Sequence, residues 1–155
     1  MYERGRGVFN DDAQAIRLYR KAAEQNQPHA MVNLGWMYAN GRGVTKDLAQ
    51  AVTWYRKAAD LGSVDALYSL GQAYQDGLGV ERDPSAAADW IFKALKAHHP
   101  FTVKEMTTNA DAWSKEFRRE LQRRMREAGV YDGKIDGKFG EDTKTAVDAL
   151  FKSSD

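Results

Sequence analysis

The fold is decided by residues 30–59, which read AMVNLGWMYANGRGVTKDLAQAVTWYRKAA. Part of this stretch, MYANGRGV at 37–44, recurs 36 residues earlier as MYERGRGV at 1–8 and 36 residues later as AYQDGLGV at 73–80. Other positions keep the same spacing, including Asp11, Asp47 and Asp83, and Ala15, Ala51 and Ala87. A period of this length predicts an array of similar units, because each unit buries its apolar face on its neighbours.

Each unit is predicted to contain two helices. In the complete unit, helix A spans about 28–39 and starts with a proline, which suits the first helical turn. Gly41 and Gly43 then permit the positive φ angles that end a helix and reverse the chain. Asp47 is a good N-cap for helix B, which we expect at about 48–61. The pattern therefore predicts an all-α chain.

Composition excludes several classes of function. The 155 residues include no cysteine, which removes disulfides, thiolate metal sites and thiol catalysis. The net charge is +1, and a chain without a clustered basic face is not expected to bind nucleic acid. No stretch approaches the roughly 20 apolar residues that cross a bilayer, so we expect no membrane insertion.

No set of residues suited to catalysis or to holding a cofactor is visible. His98 and His99 are adjacent, so on a helix they would point about 100° apart, and we interpret them as a solvated helix end. The segment 132–143 partly matches a calcium loop, but Lys134 and Thr143 stand where acidic ligands are needed. We therefore predict no catalytic residue, no metal and no cofactor.

The pattern Ala-(x)3-Leu-Gly-x-Met-Tyr-(x)2-Gly-x-Gly-Val, followed by Asp-(x)3-Ala-(x)2-Trp-Tyr-(x)2-Ala-Ala, runs from Ala30 to Ala59. It resembles the Sel-one-like repeat (SLR), a relative of the tetratricopeptide repeat, over residues 1–99. The resemblance implies a right-handed α/α solenoid that recognises proteins and has no enzymatic activity of its own. Met1-Tyr2 aligns with the end of a helix A. We therefore expect an incomplete first unit and a chain that belongs to a longer protein.

The repeat frame ends near residue 100, and a small helical module is expected to follow. Thr102 with Glu105 reads as a capping box that opens a short helix. A longer helix is predicted at 110–128 and a last one at about 141–151. The buried stripe of the longer helix is predicted from apolar residues spaced four apart, namely Trp113, Phe117, Leu121 and Met125.

Residues 121–147 read LQRRMREAGVYDGKIDGKFGEDTKTAV. The run Asp-Gly-x-Phe-Gly-x-x-Thr within it resembles the peptidoglycan-binding-domain-like family, a three-helix bacterial module, which we place at 101–155. The resemblance implies peptidoglycan as a partner and a periplasmic or cell-envelope location, with the cytoplasm as the alternative. The residues expected at the glycan groove are Arg118, Tyr131, Asp132, Asp136 and Lys138. A purely structural loop is the other interpretation, with a turn at Asp136-Gly137 and Phe139 filling the core below it.

A protein or peptide segment is the partner predicted for the repeats, on the concave surface that helices A line in this family. The candidate contacts are the positions that vary between units, Asn33, Trp36, Asn40, Ser69, Gln72 and Asp76. Trp36 has a polar counterpart in Gln72, so its slot is expected to face solvent, where tryptophan is a common interface anchor. The alternative is that Trp36 packs on the next helix A.

Three functions fit these features. The first is a non-catalytic scaffold whose repeats hold a protein and whose last module contacts peptidoglycan. The second is the regulatory arm of a larger enzyme, since such solenoids with such a terminal module resemble the tails of some bacterial caspase-like proteases. The third is that the module caps the solenoid by covering the apolar edge formed by Trp90 and Ile91.

Overall fold

The computed structural model describes residues 4–153, with side chains described from residue 11 onward. The described chain is all-helical, with no strand. Its helices are α1 (Arg4–Glu24), α2 (Pro28–Asn40), α3 (Leu48–Asp60), α4 (Val64–Asp76), α5 (Pro84–Lys96), α6 (Pro100–Thr108), α7 (Lys115–Glu127) and α8 (Glu141–Lys152), with a 3-10 turn at Ala110–Ala112. Tyr2, which aligns with Tyr38, lies outside the described residues.

The helix starts of the repeats follow the signals read from the sequence. The Asp47 carboxylate accepts a hydrogen bond from the backbone N of Gln50, and Asp83 accepts from the backbone N of Ser85 and Ala86. Pro84 occupies the first turn of α5. Each cap satisfies backbone donors that have no partner within the helix, which is why aspartate is favoured there. The bounds predicted for the complete unit are confirmed to within a residue at each end, since α2 and α3 cover Pro28–Asn40 and Leu48–Asp60.

The Gly-x-Gly turn has two separate physical requirements. Gly41 and Gly43 both have positive φ, of 65° and 67°, as predicted. A Cβ on Gly43 would also lie 2.5 Å from the carbonyl oxygen of Asp12, at the preceding helix B. Gly79 meets Leu48 in the same way one repeat later. The second glycine is therefore needed for a close backbone approach as well as for its φ angle.

The first helix differs from its counterparts, because α1 continues through the stretch that aligns with the Gly-x-Gly turns of the later units. The chain divides into two compact units. The first extends to Ala66 and includes Leu78–Val80, and the second comprises 67–77 and residues from Glu81 onward.

The core of the first unit is formed where α1, α2 and α3 pack together with the first turn of α4. Its buried residues are Ile16, Ala23, Met31, Leu34, Met37, Ala58 and Ala66. Gly35 lies in the middle of α2, where a Cβ would come within 2.5 Å of Cε1 of Tyr55. The glycine thus makes room for the ring on α3 and lets the two helices approach closely.

The second unit has a single larger core that α5, α7 and α8 share with α6. The buried residues that form it are Ala87, Ala88, Ile91, Leu95, Met106, Trp113, Phe117, Leu121, Met125, Tyr131, Ala146, Val147 and Leu150. Gly71 on α4 accommodates Ile91 as Gly35 accommodates Tyr55, since a Cβ there would lie 2.6 Å from Cδ1 of Ile91. The last repeat helix and the C-terminal helices are therefore packed around the same apolar residues.

Two predictions at the start of the module are wrong. Thr102 does not open α6, because His99 is the N-cap and Pro100 takes the first helical position. His99 is not solvated, since its Nδ1 lies 2.6 Å from Oγ1 of Thr102 and its ring is 5.9 Å from the ring of Tyr68. The chain turns at His98, which has a φ of 58°, and this turn directs His99 inward.

The longer helix begins at residue 115 rather than 110. Ser114 is its N-cap and accepts a hydrogen bond from the backbone N of Phe117 at 3.2 Å. Serine is a stronger N-cap than the alanines upstream, which instead form the short 3-10 turn. Trp113 therefore lies outside the helix, although it is buried in the core as predicted.

Candidate functional site

The variable positions of α2 present one solvent-facing side chain of unusual size. Trp36 is 51% exposed, so the slot faces solvent as the comparison with Gln72 predicted. Asn33 is half-buried and Asn40 is exposed on the same helix. The amide nitrogen of Asn40 donates to the carbonyl oxygen of Trp36 at 2.8 Å, so this donor already serves the end of its own helix.

The equivalent positions of α4 belong to the second unit. Gln72 and Asp76 are exposed there, and Ser69 is half-buried. Their carboxylate and amide groups offer hydrogen bonds but no apolar anchor comparable with Trp36. The six predicted contacts thus form two separate sets of three, one on each helix.

A cavity in the first unit was not predicted. It has a volume of about 450 Å³ and is lined by Ala23, Glu24, Asn26, Met31, Trp54, Lys57, Asp60 and Leu61. The indole Nε1 of Trp54 is buried, with no hydrogen-bond partner among the described residues. The Lys57 ammonium lies 4.5 Å from the centre of the same ring, a distance suited to a cation–π contact. The sequence signal was the Trp-x-x-Lys spacing, which recurs as Trp90 and Lys93.

The loop between α7 and α8 is organised around the buried side chain of Gln122, which is 0% exposed. Its Nε2 donates to the carbonyl oxygen of Lys138 at 2.9 Å and lies 3.2 Å from Oη of Tyr131. The same nitrogen is 3.3 Å from Oγ1 of Thr143. Its Oε1 accepts from the backbone N of Gly137 at 2.8 Å. One glutamine therefore ties the loop to α7 and to the start of α8.

The Asp136-Gly137 turn forms as predicted. Gly137 has a φ of 75°, and a Cβ there would lie 3.0 Å from the carbonyl oxygen of Lys115. The Asp136 carboxylate accepts a hydrogen bond from the backbone N of Lys138 at 2.8 Å. This bond lowers the pKa of Asp136 from its usual value, because it stabilises the charged form. Phe139 packs against the core below the loop.

The loop and the first turn of α8 enclose a cleft of about 550 Å³. The residues that line it are Tyr131, Gly133, Lys134, Asp136, Lys138, Gly140, Glu141, Asp142 and Thr143. Two lysines and three carboxylates therefore border one opening. Tyr131 contributes little accessible surface, because it is 7% exposed and its hydroxyl donates to the carbonyl oxygen of Lys134 at 2.6 Å.

Of the five residues predicted at the glycan groove, three line this cleft: Tyr131, Asp136 and Lys138. Asp132 is exposed but does not line it, and Arg118 on α7 forms an ion pair with Asp111 instead. The roles of Gln122, Glu141 and Asp142 were missed. The sequence did contain one indication of Gln122. It follows Leu121 directly, so it borders the stripe of residues that was predicted to be buried.

Comparison with protein families assigns most of the chain. The model described as "Sel1 repeat" matches three consecutive segments, residues 1–27, 28–63 and 64–99. This chain belongs to the Sel1-repeat family. A second model, described as "Putative peptidoglycan binding domain", matches residues 114–150 of this Sel1-repeat protein. A search of curated proteins found no match.

Solved structures with the same repeats are similar to this Sel1-repeat protein. A crystal structure of a Sel1 repeat protein from Oxalobacter formigenes has 38% sequence identity and a TM-score of 0.50 over 51% of this chain and 60% of that chain. The c5321 protective antigen of uropathogenic Escherichia coli, which displays an SLR fold, has 26% identity and a TM-score of 0.54 over 90% of this chain. The present 155-residue chain covers 33% of the length of that antigen.

The described residues contain no group of three or more histidine or acidic side chains arranged to hold a metal ion. None of the helices in residues 4–153 is both long enough and apolar enough to span a membrane.

Proposed function

We propose that this Sel1-repeat protein is a non-catalytic scaffold of the bacterial cell envelope, which holds a protein segment on its repeats and binds peptidoglycan through its C-terminal module. The single observation that carries this proposal is the cleft of about 550 Å³ beside the glycine loop. It lies within the segment matched by the peptidoglycan-binding model. The cleft is fixed in shape by Gln122, so little ordering is required when a ligand binds.

The proposed protein-binding arm has Trp36 as its anchor. The Trp36 side chain is 51% exposed, so a large apolar area of its indole ring is in contact with water. A partner that covers the ring removes this area from water, which contributes favourable free energy to binding. Asn33 lies one turn earlier on the same helix, where its amide can bond to a peptide backbone. The Trp36→Ala variant is expected to lose copurified partners without a change in melting temperature. Leu18→Ala is the matched control, because it removes an apolar side chain that is 60% exposed on α1 and is not among the predicted contacts.

Capping of the repeats is a second candidate role, supported by the shared core of the second unit. Ile91 and Leu95 on α5 are fully buried in the same cluster as Phe117 and Leu121. Arg124 on α7 pairs with Asp89 and donates to the hydroxyl oxygen of Ser85 at 3.0 Å.

Only part of the predicted capped edge takes part in this core. Ile91 is buried as expected, whereas Trp90 is half-buried and lies under the Lys93 ammonium at 4.3 Å. Trp90 is not among the buried residues that form the core. Capping and peptidoglycan binding are compatible, because the core residues of α7 and α8 do not line the cleft.

Peptidoglycan binding is tested by co-sedimentation of the purified chain with intact sacculi. The wild-type chain is expected in the pellet, and Lys138→Glu is expected to lower the affinity for sacculi severalfold because the charge at the cleft is reversed. Lys104→Glu reverses an exposed charge on α6 and should leave sedimentation unchanged. A wild-type chain that stays in the supernatant at physiological salt contradicts the proposal.

A further inference from the structure

The cleft presents charges of both signs to a ligand. Lys134 and Lys138 lie on the loop, and Glu141 and Asp142 lie on the first turn of α8. Glu141 already pairs with the Lys144 ammonium at 3.3 Å, and the charge of Lys138 contributes to lowering the pKa of Asp136. Asp136 completes the set and stays ionised at neutral pH, since the backbone N–H of Lys138 lowers its pKa.

The cleft lacks the surface that sugars use. Sugar rings are held by stacking of their C–H faces on exposed aromatic rings. Among the described residues that line the cleft, Tyr131 alone is aromatic, and it is 7% exposed. Its hydroxyl is also occupied, by the carbonyl oxygen of Lys134 and by Gln122. A neutral glycan chain would therefore find neither a stacking platform nor a free phenol here.

The peptide part of peptidoglycan has the complementary chemistry. The glycan strand consists of N-acetylated sugars, whereas the stem peptide carries free carboxylates and, on its diamino acid, a free amine. Carboxylates fit Lys134 and Lys138, and an ammonium fits Asp142 and Asp136.

Building on the peptidoglycan binding proposed above, we infer that the cleft recognises the zwitterionic stem peptide rather than the glycan strand. The lysines bind stem carboxylates and the acidic residues bind the stem amine. Because these groups are solvent-exposed, each contributes modestly, and binding weakens as salt screens the charges. Removal of one charge is expected to weaken binding by up to about fivefold.

The test is titration of the intact chain with three soluble probes: a disaccharide–peptide fragment, the free stem peptide, and glycan strands from which an amidase has removed the stems. The first two are expected to bind with similar affinity. The third keeps one lactyl carboxylate on each muramic acid after amide hydrolysis but has no amine for the acidic residues, so it is expected to bind severalfold more weakly. Acetylation of the stem amine is expected to weaken binding severalfold. Lys134→Gln, Lys138→Gln and Asp142→Asn should each do the same.

Matched controls are available in the same unit. Lys104→Gln and Asp148→Asn neutralise exposed charges outside the cleft and should leave every affinity unchanged. Glycan strands that bind as tightly as the disaccharide–peptide fragment overturn the inference while peptidoglycan binding stands. An unchanged affinity for the acetylated peptide together with unchanged cleft variants also overturns it. Failure of intact sacculi to retain the chain removes the proposed function itself, so the two failures are distinguishable.

Discussion

The side-chain oxygen of Gln122 accepts a hydrogen bond from the backbone N of Gly137 at 2.8 Å, so a buried glutamine on α7 fixes the tightest point of the loop. The amide nitrogen of the same side chain reaches the carbonyl oxygen of Lys138 at 2.9 Å. Both backbone groups would lose their partner if the glutamine were replaced. This single residue therefore links the fold of the module to the shape of its cleft.

Gln122→Met is expected to destabilise the chain by about 2–4 kcal/mol, because similar volume is kept while several buried polar groups lose their partners. Chemical denaturation with the melting temperature as a second readout measures the loss. Exposed Gln72→Met is the control and should change stability by no more than about 0.5 kcal/mol. A neutral Gln122→Met would mean that water replaces the glutamine and that the loop does not depend on it.

Gly71→Ala is expected to destabilise the chain, by about 1–3 kcal/mol, although alanine is the better helix former. The new methyl group would come within 2.6 Å of Cδ1 of Ile91. Denaturation of the single variants and of Gly71→Ala combined with Ile91→Ala separates packing from helix propensity. Alanine lacks both Cδ1 and Cγ1 of Ile91, which would lie 2.6 and 2.7 Å from the new methyl group, so the double variant should be more stable than the sum of the two single effects predicts. Strict additivity would contradict the packing explanation.

Leu95→Ala on the last repeat helix and Leu121→Ala on α7 are each expected to cost about 2–5 kcal/mol. Both side chains are fully buried in one core, so both variants should lower the same unfolding transition. Differential scanning calorimetry shows whether one transition moves. Two separate transitions, with each variant moving a different one, would contradict the shared core and the capping role with it.

These predictions separate what local sequence determines from what it does not. Asp47, Asp83 and the Gly-x-Gly turns act on residues a few positions away, so helix bounds in the repeats could be read from the sequence. The starts of α6 and α7 were predicted at the wrong residues. Pro100 competes with Thr102 as the start of α6, and Ser114 is a stronger N-cap for α7 than the residues near 110. The burial of His99 depends on Tyr68, which is distant along the chain.

The candidate site shows the same limit. The Asp136-Gly137 turn was predictable because it is a two-residue conformational requirement. The place of Gln122 beside the buried stripe was visible in the sequence, but its partners were not, because Gly137 and Thr143 are 15 and 21 residues away. Arg118 was assigned to the groove from its charge, yet its ion pair with Asp111 depends on the fold of the 3-10 turn. The exposure of Trp36 was predictable because the repeat supplies Gln72 as an internal comparison.

The loop is expected to weaken at acid pH. The pKa of Asp136 is lowered in the folded chain from its usual value of 3.8, so its stabilising contribution is present above that value. It is lost as pH falls through the lower folded pKa, when the carboxylate is protonated. Amide exchange of Lys138 measured below about pH 4 is expected to speed up in the wild type relative to Asp136→Asn, which has no carboxylate to protonate. Parallel acid profiles of the two chains would show that Asp136 does not hold the turn.

Hydrogen exchange of the intact chain, with and without soluble disaccharide–peptide fragments, tests most directly whether the module binds peptidoglycan in its cleft. The predicted result is slower exchange concentrated in residues 131–143, with the repeat helices α2 and α3 unchanged. Unchanged exchange across 131–143 at a saturating fragment concentration, or protection confined to the repeats, would contradict it.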